Sequence, residues 1–299
     1  MMTARQKTTW QGELRHNEPM TKHTSWRVGG TADHYYRPVD LDDLCVFLAQ
    51  LSEQEELTWV GLGSNLLVRD GGIRGTVIST SGLLNNITLQ PDNSLYVEAG
   101  VSCAKVARFA AKQNLTGAEF LAGIPGTMGG ALAMNAGAFG GETWQKVAQV
   151  ATISRDGKCT ERKPDEYKIS YRSVKGPEKA WFVSTILRLE PGDAKVGQAK
   201  IKKLLSQRGA SQPTSQPSCG SVFRNPPNDH AARLIEDSNL KGTCVGGACV
   251  SEKHANFIIN VGSATAADIE NLIEKVAATV KQQHGITLQR EAHIIGEAK

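Results

Sequence analysis

What this 299-residue sequence lacks most visibly is charge in one place: residues 120–141 contain no acidic, basic or histidine side chain. About 20 apolar residues suffice to cross a bilayer, so the length alone allows a membrane span. Its seven glycines, Pro125 and its preference for Ala over Leu, Ile or Phe argue against a span, because such residues transfer poorly into lipid. Glycine-rich backbone also loses much entropy on ordering. The segment is either a buried structural turn or, as we favour, a loop whose backbone approaches a ligand closely.

Cysteine motifs, basic blocks and an apolar leader are also missing. The six cysteines form no CxxC pair and no ligand spacing with histidine, so we expect free thiols in a reducing compartment and no metal site. Lysine and arginine are scattered and the net charge is only +4, which suits an anionic substrate and indicates no nucleic-acid partner. Residues 1–20 lack the hydrophobic stretch of a signal peptide, so we expect a cytoplasmic protein with no membrane partner.

Helical and strand periodicities mix along the chain without regular βαβ alternation, which predicts the α+β class. Asp40 is a candidate cap at the start of one helix. Two further helices are predicted to begin at Ser102, running to about Asn114, and at Thr265. Asp156-Gly157 is a hairpin signal between two predicted strands. The other predicted elements are helices at 194–208 and 230–238 and strands at 34–37, 58–60, 76–79, 87–89, 95–98, 147–154, 158–162, 181–189, 256–261 and 286–295.

A polar segment rich in Ser, Gln and Pro, residues 209–218, follows the predicted basic helix 194–208. Such a composition is typical of a connection between domains. The sequence therefore predicts an N-terminal region at 1–208, with subdomains at about 1–70 and 71–208, and a C-terminal domain at 209–299.

Two glycine-bearing loops stand out in the N-terminal region, at 60–67 and within the uncharged segment. Backbone N–H groups of such loops can converge on phosphate oxygens, and a hydroxyl such as that of Ser64 or Thr127 adds a donor. Neither loop matches a dinucleotide fingerprint, because Leu66 stands where the third glycine belongs, and no Walker lysine motif is present. Together the two loops favour a long cofactor that carries phosphate.

Three polar positions outside these loops remain ambiguous from the pattern alone. Ser221 is either a reactive serine or a loop serine bonded to its own backbone. Glu291 lies in an alternating segment and is either functional or an exposed strand carboxylate. Arg172 follows Tyr171 in a pair that is usually a surface strand end.

The motifs resemble those of the UDP-N-acetylenolpyruvoylglucosamine reductase (MurB) family, in order, from about Thr24 to Gly296. The departures are small: Ala232 and Asn239 stand where glycines are usual, and Cys249 replaces a longer side chain. The motifs that carry the resemblance are TSWRVGG (24–30), GLGSNLLV (61–68), GIPGTMGGALAMNAGAFGGE (123–142), SYR (170–172), GSVFRNP (220–226), LIEDSNLKG (234–242) and VSEKHANFIIN (250–260).

The resemblance implies a two-part FAD-binding region of the vanillyl-alcohol-oxidase (PCMH-type) fold, followed by a C-terminal α+β substrate domain. It implies that FAD is held without a covalent bond and that the uncharged loop wraps it. The implied cofactor-binding residues are Gly61, Gly63, Ser64, Asn65, Gly123, Ile124, Gly126, Thr127, Gly130, Asn135 and Ala138.

The implied reaction is the reduction of a UDP-sugar enolpyruvyl ether, with NADPH as co-substrate. Arg172 corresponds to the residue that stabilises negative charge on the substrate carboxylate, Ser221 to the proton donor, and Glu291 to a nearby carboxyl group that must be protonated or hydrogen-bonded to help. The resemblance also suggests a short form without the family's tyrosine-bearing loop, and no obligate protein partner. The implied substrate-binding residues are Tyr171, Asn225, His254 and Asn256.

Two rival functions are weaker. An alcohol-oxidising flavoenzyme of the same fold would often carry a flavin-linking histidine, and the glycine loops contain none. A flavin-binding protein without catalysis would not need the three reactive side chains.

Overall fold

The computed structural model describes residues 9–299, in which helices and short strands alternate irregularly. The N-terminal stretch judged to lack a signal peptide lies partly outside the described residues. The helices are α1 Leu41–Gln50, α2 Cys103–Lys112, α3 Met128–Met134, α4 Ala194–Ser211, α5 Ala231–Asp237 and α6 Ala266–His284. The strands are β1 Glu13–Pro19, β2 Thr31–Arg37, β3 Leu57–Val60, β4 Leu66–Val68, β5 Ile73–Ser79, β6 Ile87–Leu89, β7 Leu95–Glu98, β8 Leu115–Thr116, β9 Gly137–Ala138, β10 Gly141–Glu142, β11 Val147–Ser154, β12 Cys159–Arg162, β13 Lys168–Ser170, β14 Ser173–Lys175, β15 Ala180–Leu187, β16 Glu190–Pro191, β17 Cys244–Val245, β18 Ala248–Val250, β19 Ile258–Asn260 and β20 His293–Ile295.

The predicted cap at Asp40 is confirmed, and so are the predicted helix starts at Ser102 and Thr265. The side chain of Asp40 accepts a hydrogen bond from the backbone N–H of Asp43 at the start of α1. Ser102 caps α2 and Thr265 caps α6 in the same way. Each cap satisfies an N–H group that the first helical turn leaves without an intrahelical partner.

The first of two compact units comprises residues 34–61 and 75–205, with the described part of the segment that ends at Arg15. Its five-stranded antiparallel sheet has the order β12-β11-β15-β7-β6, and the predicted hairpin turn joins β11 to β12. One hydrophobic cluster of this unit includes Val97 on β7, Val106 on α2, Leu132 on α3 and Val150 on β11. A four-stranded sheet, β1-β2-β5-β3, includes the parallel pair β3 and β5.

The second compact unit joins residues 16–33 and 62–74 to residues 206–299. The predicted boundaries instead assign residues 16–33 and 62–74 to the N-terminal region. Trp26 explains one of them: its indole N–H donates to the Ile258 carbonyl at 2.8 Å, and its own carbonyl accepts from the Asn260 amide at 2.9 Å. The other segment contributes β4, which pairs in parallel with β20.

The end of the chain forms less strand than predicted, since β20 covers only 293–295 of the predicted 286–295. Residues 289–292 instead exchange hydrogen bonds with residues 222–224, with a single bridge between Phe223 and Arg290. Helix α4 runs to Ser211 and so includes the first residues of the predicted connection.

A disulfide between Cys244 and Cys249 shows that the expectation of six free thiols is wrong for this pair. Strands β17 and β18 pair antiparallel around the turn Gly246-Gly247, which sets Cys244 directly opposite Cys249, with their Cα atoms 4.1 Å apart. The Gly-Gly pair is a hairpin signal, but only the observed register makes the two cysteines partners. The free cysteines are Cys45, Cys103, Cys159 and Cys219.

No helix of residues 9–299 is both long and apolar enough to cross a membrane. Within the same range, no group of three or more His, Cys, Asp or Glu side chains is placed to hold a metal ion.

Candidate active site

The uncharged segment of the first unit folds into a short 3₁₀ turn, helix α3 and the strand pair β9–β10. Thr127 caps α3, and its hydroxyl oxygen accepts from the backbone N–H of Gly130 at 3.5 Å. Two glycines are required by packing within the protein. A Cβ on Gly61 would lie 2.4 Å from Thr127 Oγ1, and one on Gly123 would lie 2.4 Å from the ring of Phe139. Much of the glycine content therefore serves contacts between the protein's own loops.

Gly130 differs from those two positions. It is exposed on α3, and the nearest atom to an added Cβ is 3.8 Å away. Phe139, in the turn between β9 and β10, is a large apolar side chain that is 44% exposed. Uncharged backbone and an open aromatic ring are what a loop needs in order to accept a ligand surface.

Asn135 ends α3 in a left-handed conformation and is only 1% exposed. Its side-chain amide donates to Glu142 Oε2 at 2.9 Å and to the Ser170 carbonyl at 3.2 Å. Its amide oxygen accepts from the Trp144 N–H at 3.1 Å. The side chain thus links the end of α3 to β10 and to β13, the strand that precedes Arg172.

Arg172 lies at the turn between β13 and β14, with a φ of 53°. Its guanidinium donates to the Gly137 carbonyl at 3.0 Å, and its central carbon is 5.1 Å from the centre of the Tyr171 ring. Tyr171 is 46% exposed. The carbonyl of the uncharged segment therefore orients a fixed positive charge beside an accessible phenol.

In the second unit, the segment that carries Ser221 is held on one side by Asn256. The Val222 N–H donates to the Asn256 carbonyl at 3.0 Å. The Asn256 side chain accepts from the Phe223 N–H at 2.9 Å and donates to the Phe223 carbonyl at 2.8 Å. Asn256 is 4% exposed, so its amide serves the backbone that follows Ser221.

The segment that carries Glu291 binds the other side of the same backbone. The Glu291 N–H donates to the Val222 carbonyl at 2.8 Å. The side-chain amide of Asn65 donates to the Glu291 carbonyl at 2.9 Å. Burial, and after it the negative charge of Glu291, hold the pKa of the Cys219 thiol well above its usual value. The Glu291 carboxylate therefore acts on the segment that carries Ser221. Ser221 and Glu291 thus lie on neighbouring, hydrogen-bonded segments.

The remaining predicted residues have varied surroundings. Asn225 accepts from the Ala231 N–H at 3.1 Å at the start of α5. His254 packs edge-on against Phe257, with ring centres 4.8 Å apart, and burial lowers the pKa of its imidazole. Gly63 has a φ of 63°, and a Cβ there would lie 1.9 Å from the His23 carbonyl. Ile124 is buried, while Ser64, Gly126 and Ala138 are half-buried.

Two groups that orient predicted residues were not themselves predicted. Glu142 accepts from Asn135, and the Gly137 carbonyl accepts from Arg172. A backbone carbonyl has no side-chain signature, so no sequence signal marks the second contact. Glu142 is the first charged residue after the uncharged segment. That position could have marked it as a candidate partner for the loop.

Known proteins resemble the chain over its whole length. A family model described as the UDP-N-acetylenolpyruvoylglucosamine reductase C-terminal domain matches residues 212–295, and an FAD binding domain model matches residues 32–162. The latter match, with the mixed helices and strands of the structure, confirms the predicted α+β class with an FAD-binding region.

Three relatives show how complete the likeness is. The UDP-N-acetylenolpyruvoylglucosamine reductase of Alkalilimnicola ehrlichii is 57% identical and covers 100% of both chains. That of Methylococcus capsulatus is 58% identical over 97% of this chain and 95% of its own. The crystal structure of the reductase (MurB) from Thermus caldophilus superposes with a TM-score of 0.81 at 30% identity, covering 95% of this chain and 98% of its own. The chain belongs to the UDP-N-acetylenolpyruvoylglucosamine reductase family.

Proposed function

We propose that the protein reduces UDP-N-acetylglucosamine enolpyruvate to UDP-N-acetylmuramate with NADPH and bound FAD, a step in peptidoglycan precursor synthesis. The observation that carries the proposal is the hydrogen-bonded pairing of the Ser221 and Glu291 segments, in a chain with full-length relatives that bear this reductase's name. We also propose that the reaction takes place in the cytoplasm and needs no nucleic-acid, membrane or obligate protein partner, since no basic block or signal-peptide stretch is present in the sequence.

The residues present fit FAD. The open face at Gly130 and the exposed ring of Phe139 offer an uncharged surface, and backbone N–H groups of glycine loops suit a pyrophosphate. When bound, FAD supplies hydride chemistry, taking reducing equivalents from NADPH and delivering them to the enolpyruvyl double bond. The residues that would hold it are Gly61, Gly63, Ser64, Asn65, Gly123, Ile124, Gly126, Thr127, Gly130 and Ala138, with Asn135 shaping the loop from inside.

Arg172 would stabilise the transition state. Reduction of the vinyl carbon leaves negative charge that spreads onto the neighbouring carboxylate, and a positive donor aimed at that group lowers the barrier. The guanidinium is already oriented by the Gly137 carbonyl, so little reorganisation is needed when the charge develops. Tyr171, Asn225 and His254 would bind other parts of the substrate.

Ser221 would protonate the resulting carbanion. A positioned general acid contributes about 10²–10⁴-fold to a rate. Glu291 would assist from the neighbouring segment, provided that it is protonated or hydrogen-bonded, because a bare carboxylate would repel the developing negative charge. Asn256 is better explained as a positioning residue for Ser221 than as a substrate ligand, because its amide is buried and bonded to Phe223 on both sides.

We also propose that the protein is a short form of the enzyme, without a tyrosine-bearing loop over the substrate. What supports this is the path from Arg172 to Trp181, which consists of β14, a short turn and the start of β15.

Stopped-flow absorbance of the two half-reactions tests the assignment of Ser221. Ser221→Ala should leave bleaching of the flavin by NADPH near the wild-type rate, since that step needs no proton from the protein. Reoxidation by the enolpyruvyl substrate should slow by at least ~10²-fold. Ser221→Cys keeps a proton donor, so its reoxidation rate should fall between those of wild type and Ser221→Ala. Arg172→Lys loses the planar guanidinium and should also slow reoxidation by the substrate.

Ser215→Ala is the control, since Ser215 is an exposed serine in the connecting segment, and it should change neither rate. Reoxidation of Ser221→Ala at the wild-type rate, or a defect confined to the NADPH step, would contradict the proton-donor role.

A further inference from the structure

Two of the free cysteines lie side by side in the first unit, and neither is among the residues assigned to the reaction. Cys45 is on α1 and Cys159 begins β12, 114 positions apart in sequence, yet their Sγ atoms are 3.8 Å apart. Cys159 is exposed and Cys45 is half-buried. The other two free cysteines, Cys103 and Cys219, are buried. Cys45 and Cys159 are thus the free thiols that a small reagent can reach.

The elements that carry the two thiols are fixed against each other. Gly157, in the turn before Cys159, has a φ of 77°, and a Cβ there would lie 2.3 Å from the Cys45 carbonyl. Arg155, in the same turn, donates to the Ser52 carbonyl just beyond α1. The turn therefore packs directly on α1 and keeps the sulfurs close. A disulfide needs the two sulfurs at about 2.05 Å, closer than the 3.8 Å that separates the reduced thiols.

The pair also has the chemistry of a reactive dithiol. The hydrogen bond from Cys45 lowers the pKa of Cys159 below that of an ordinary thiol, while burial and the charge of Asp42 oppose this. Tyr96 also faces Cys159, and its phenol is neutral at physiological pH because burial raises its pKa. The thiolate is the attacking form of cysteine, so the exposed member of the pair is the one disposed to react first.

We propose that Cys45 and Cys159 form a site of reversible oxidation, which peroxide converts to a disulfide between α1 and β12. The Cys159 thiolate attacks one oxygen of hydrogen peroxide, which gives a sulfenic acid and water once the leaving hydroxide is protonated. The Cys45 sulfur then attacks the sulfenic sulfur, and a second water leaves with the Cys45 proton. Two thiols and one peroxide thus give one disulfide and two waters. Each sulfur loses one electron, and a dithiol reductant reverses the change.

The test uses the full chain with Cys244→Ser and Cys249→Ser, so that the existing disulfide adds no signal. The reduced protein is treated with a small excess of hydrogen peroxide and analysed by intact mass and peptide mapping. We expect the loss of two hydrogens, a cross-linked peptide pair containing Cys45 and Cys159, and recovery of both thiols with dithiothreitol. Cys103 and Cys219 should remain reduced.

Cys45→Ser in the same background is the matched control, because it leaves Cys159 without a resolving thiol. It should gain oxygen on Cys159 and form no cross-link. The reduced parent chain, which regains its Cys244–Cys249 bond, verifies that the oxidant is active. The proposal is overturned if peroxide adds oxygen to Cys159 while Cys45 is intact, if it leaves both thiols unchanged, or if the cross-link joins another pair.

Discussion

At the scale of single residues, two asparagines that the family resemblance places among the ligand-binding residues are buried and bonded within the protein. Asn135 and Asn256 are 1% and 4% exposed, and each bonds to the backbone of another segment. A buried amide needs partners for both its donor and its acceptor, and these two find them in the protein. The sequence identifies such positions but not their role, because the backbone groups that they meet are distant in the chain.

Replacing Asn256 by Leu separates support from ligand binding. The change leaves the buried N–H and carbonyl of Phe223 without partners, which should lower the free energy of unfolding by about 2–4 kcal/mol. Displacement of Ser221 should slow the substrate half-reaction by ~10²-fold, with bleaching by NADPH unchanged. Stopped-flow kinetics and urea titration measure these effects, with Asn271→Leu on the exposed face of α6 as the control. A raised KM with unchanged kcat would instead identify a substrate ligand.

Glu119 predicts a pH effect on stability in the first unit. It is 3% exposed. Burial raises the pKa of its carboxyl, but hydrogen bonds from Thr116, Lys200 and Gly117 outweigh this and leave it below the usual value. A carboxyl with a lower pKa in the folded state stabilises the protein above its unfolded value, and that contribution disappears as pH falls through the folded value.

Glu119→Gln should therefore lower the free energy of unfolding by about 1–2 kcal/mol at pH 7, with the difference from wild type shrinking below pH ~4. Urea titrations across pH measure it. Glu161→Gln, an exposed carboxylate on β12, should be nearly neutral throughout. A deficit for Glu119→Gln that persists unchanged at low pH would rule out the charge as its cause.

At the scale of elements, features set by neighbouring residues can be predicted from the sequence, whereas pairing between strands distant in the chain cannot. The cap at Asp40 and the helix starts at Ser102 and Thr265 were predictable because the signal and its effect lie within one turn. The short β20 was not, since its partner β4 lies more than two hundred residues earlier. The disulfide shows that pairing is hard to predict even over a short separation. A Gly-Gly turn is visible in the sequence, but the register of β17 and β18, which sets Cys244 opposite Cys249, is not.

Gly130→Val tests whether the open face of α3 accepts FAD. Because the added side chain meets no protein atom closer than 3.8 Å at its Cβ, the fold should tolerate it and the melting temperature should stay near that of wild type. The bulk should instead obstruct the cofactor and lower the flavin content. The ratio of flavin to protein absorbance measures this. Gly209→Val is the control, since it also adds a side chain to an exposed helical glycine with open space. Full flavin in Gly130→Val would refute the close approach.

At the scale of the whole molecule, the α+β class and the FAD-binding region were predictable, whereas the composition of the two units was not. The second compact unit resumes at residue 206, within α4 and shortly before the polar segment 209–218. Nothing local indicates that residues 16–33 and 62–74 belong with residues 206–299. Trp26 belongs there because of hydrogen bonds to a strand 232 positions away, and periodicity cannot report such a partner.

The cofactor should be held without a covalent bond, since the loops at 60–67 and 120–141 contain no histidine or cysteine to link a flavin. Acid precipitation of the purified protein should leave the yellow colour in the supernatant, and absorbance of the two fractions measures the partition. An acid-precipitated protein that is yellow, with a flavin peptide by mass spectrometry, would contradict this.

The three-segment make-up of the second unit also bears on how the chain folds while it is being made. Trp26 leaves the ribosome 232 residues before Ile258, which accepts its indole hydrogen bond. At about 5–20 residues per second, that interval is on the order of ten to fifty seconds. Throughout it, the indole, which ends fully buried, lacks its native hydrogen-bond acceptor and the later residues of its hydrophobic cluster, so we expect it to stay partly exposed on the nascent chain.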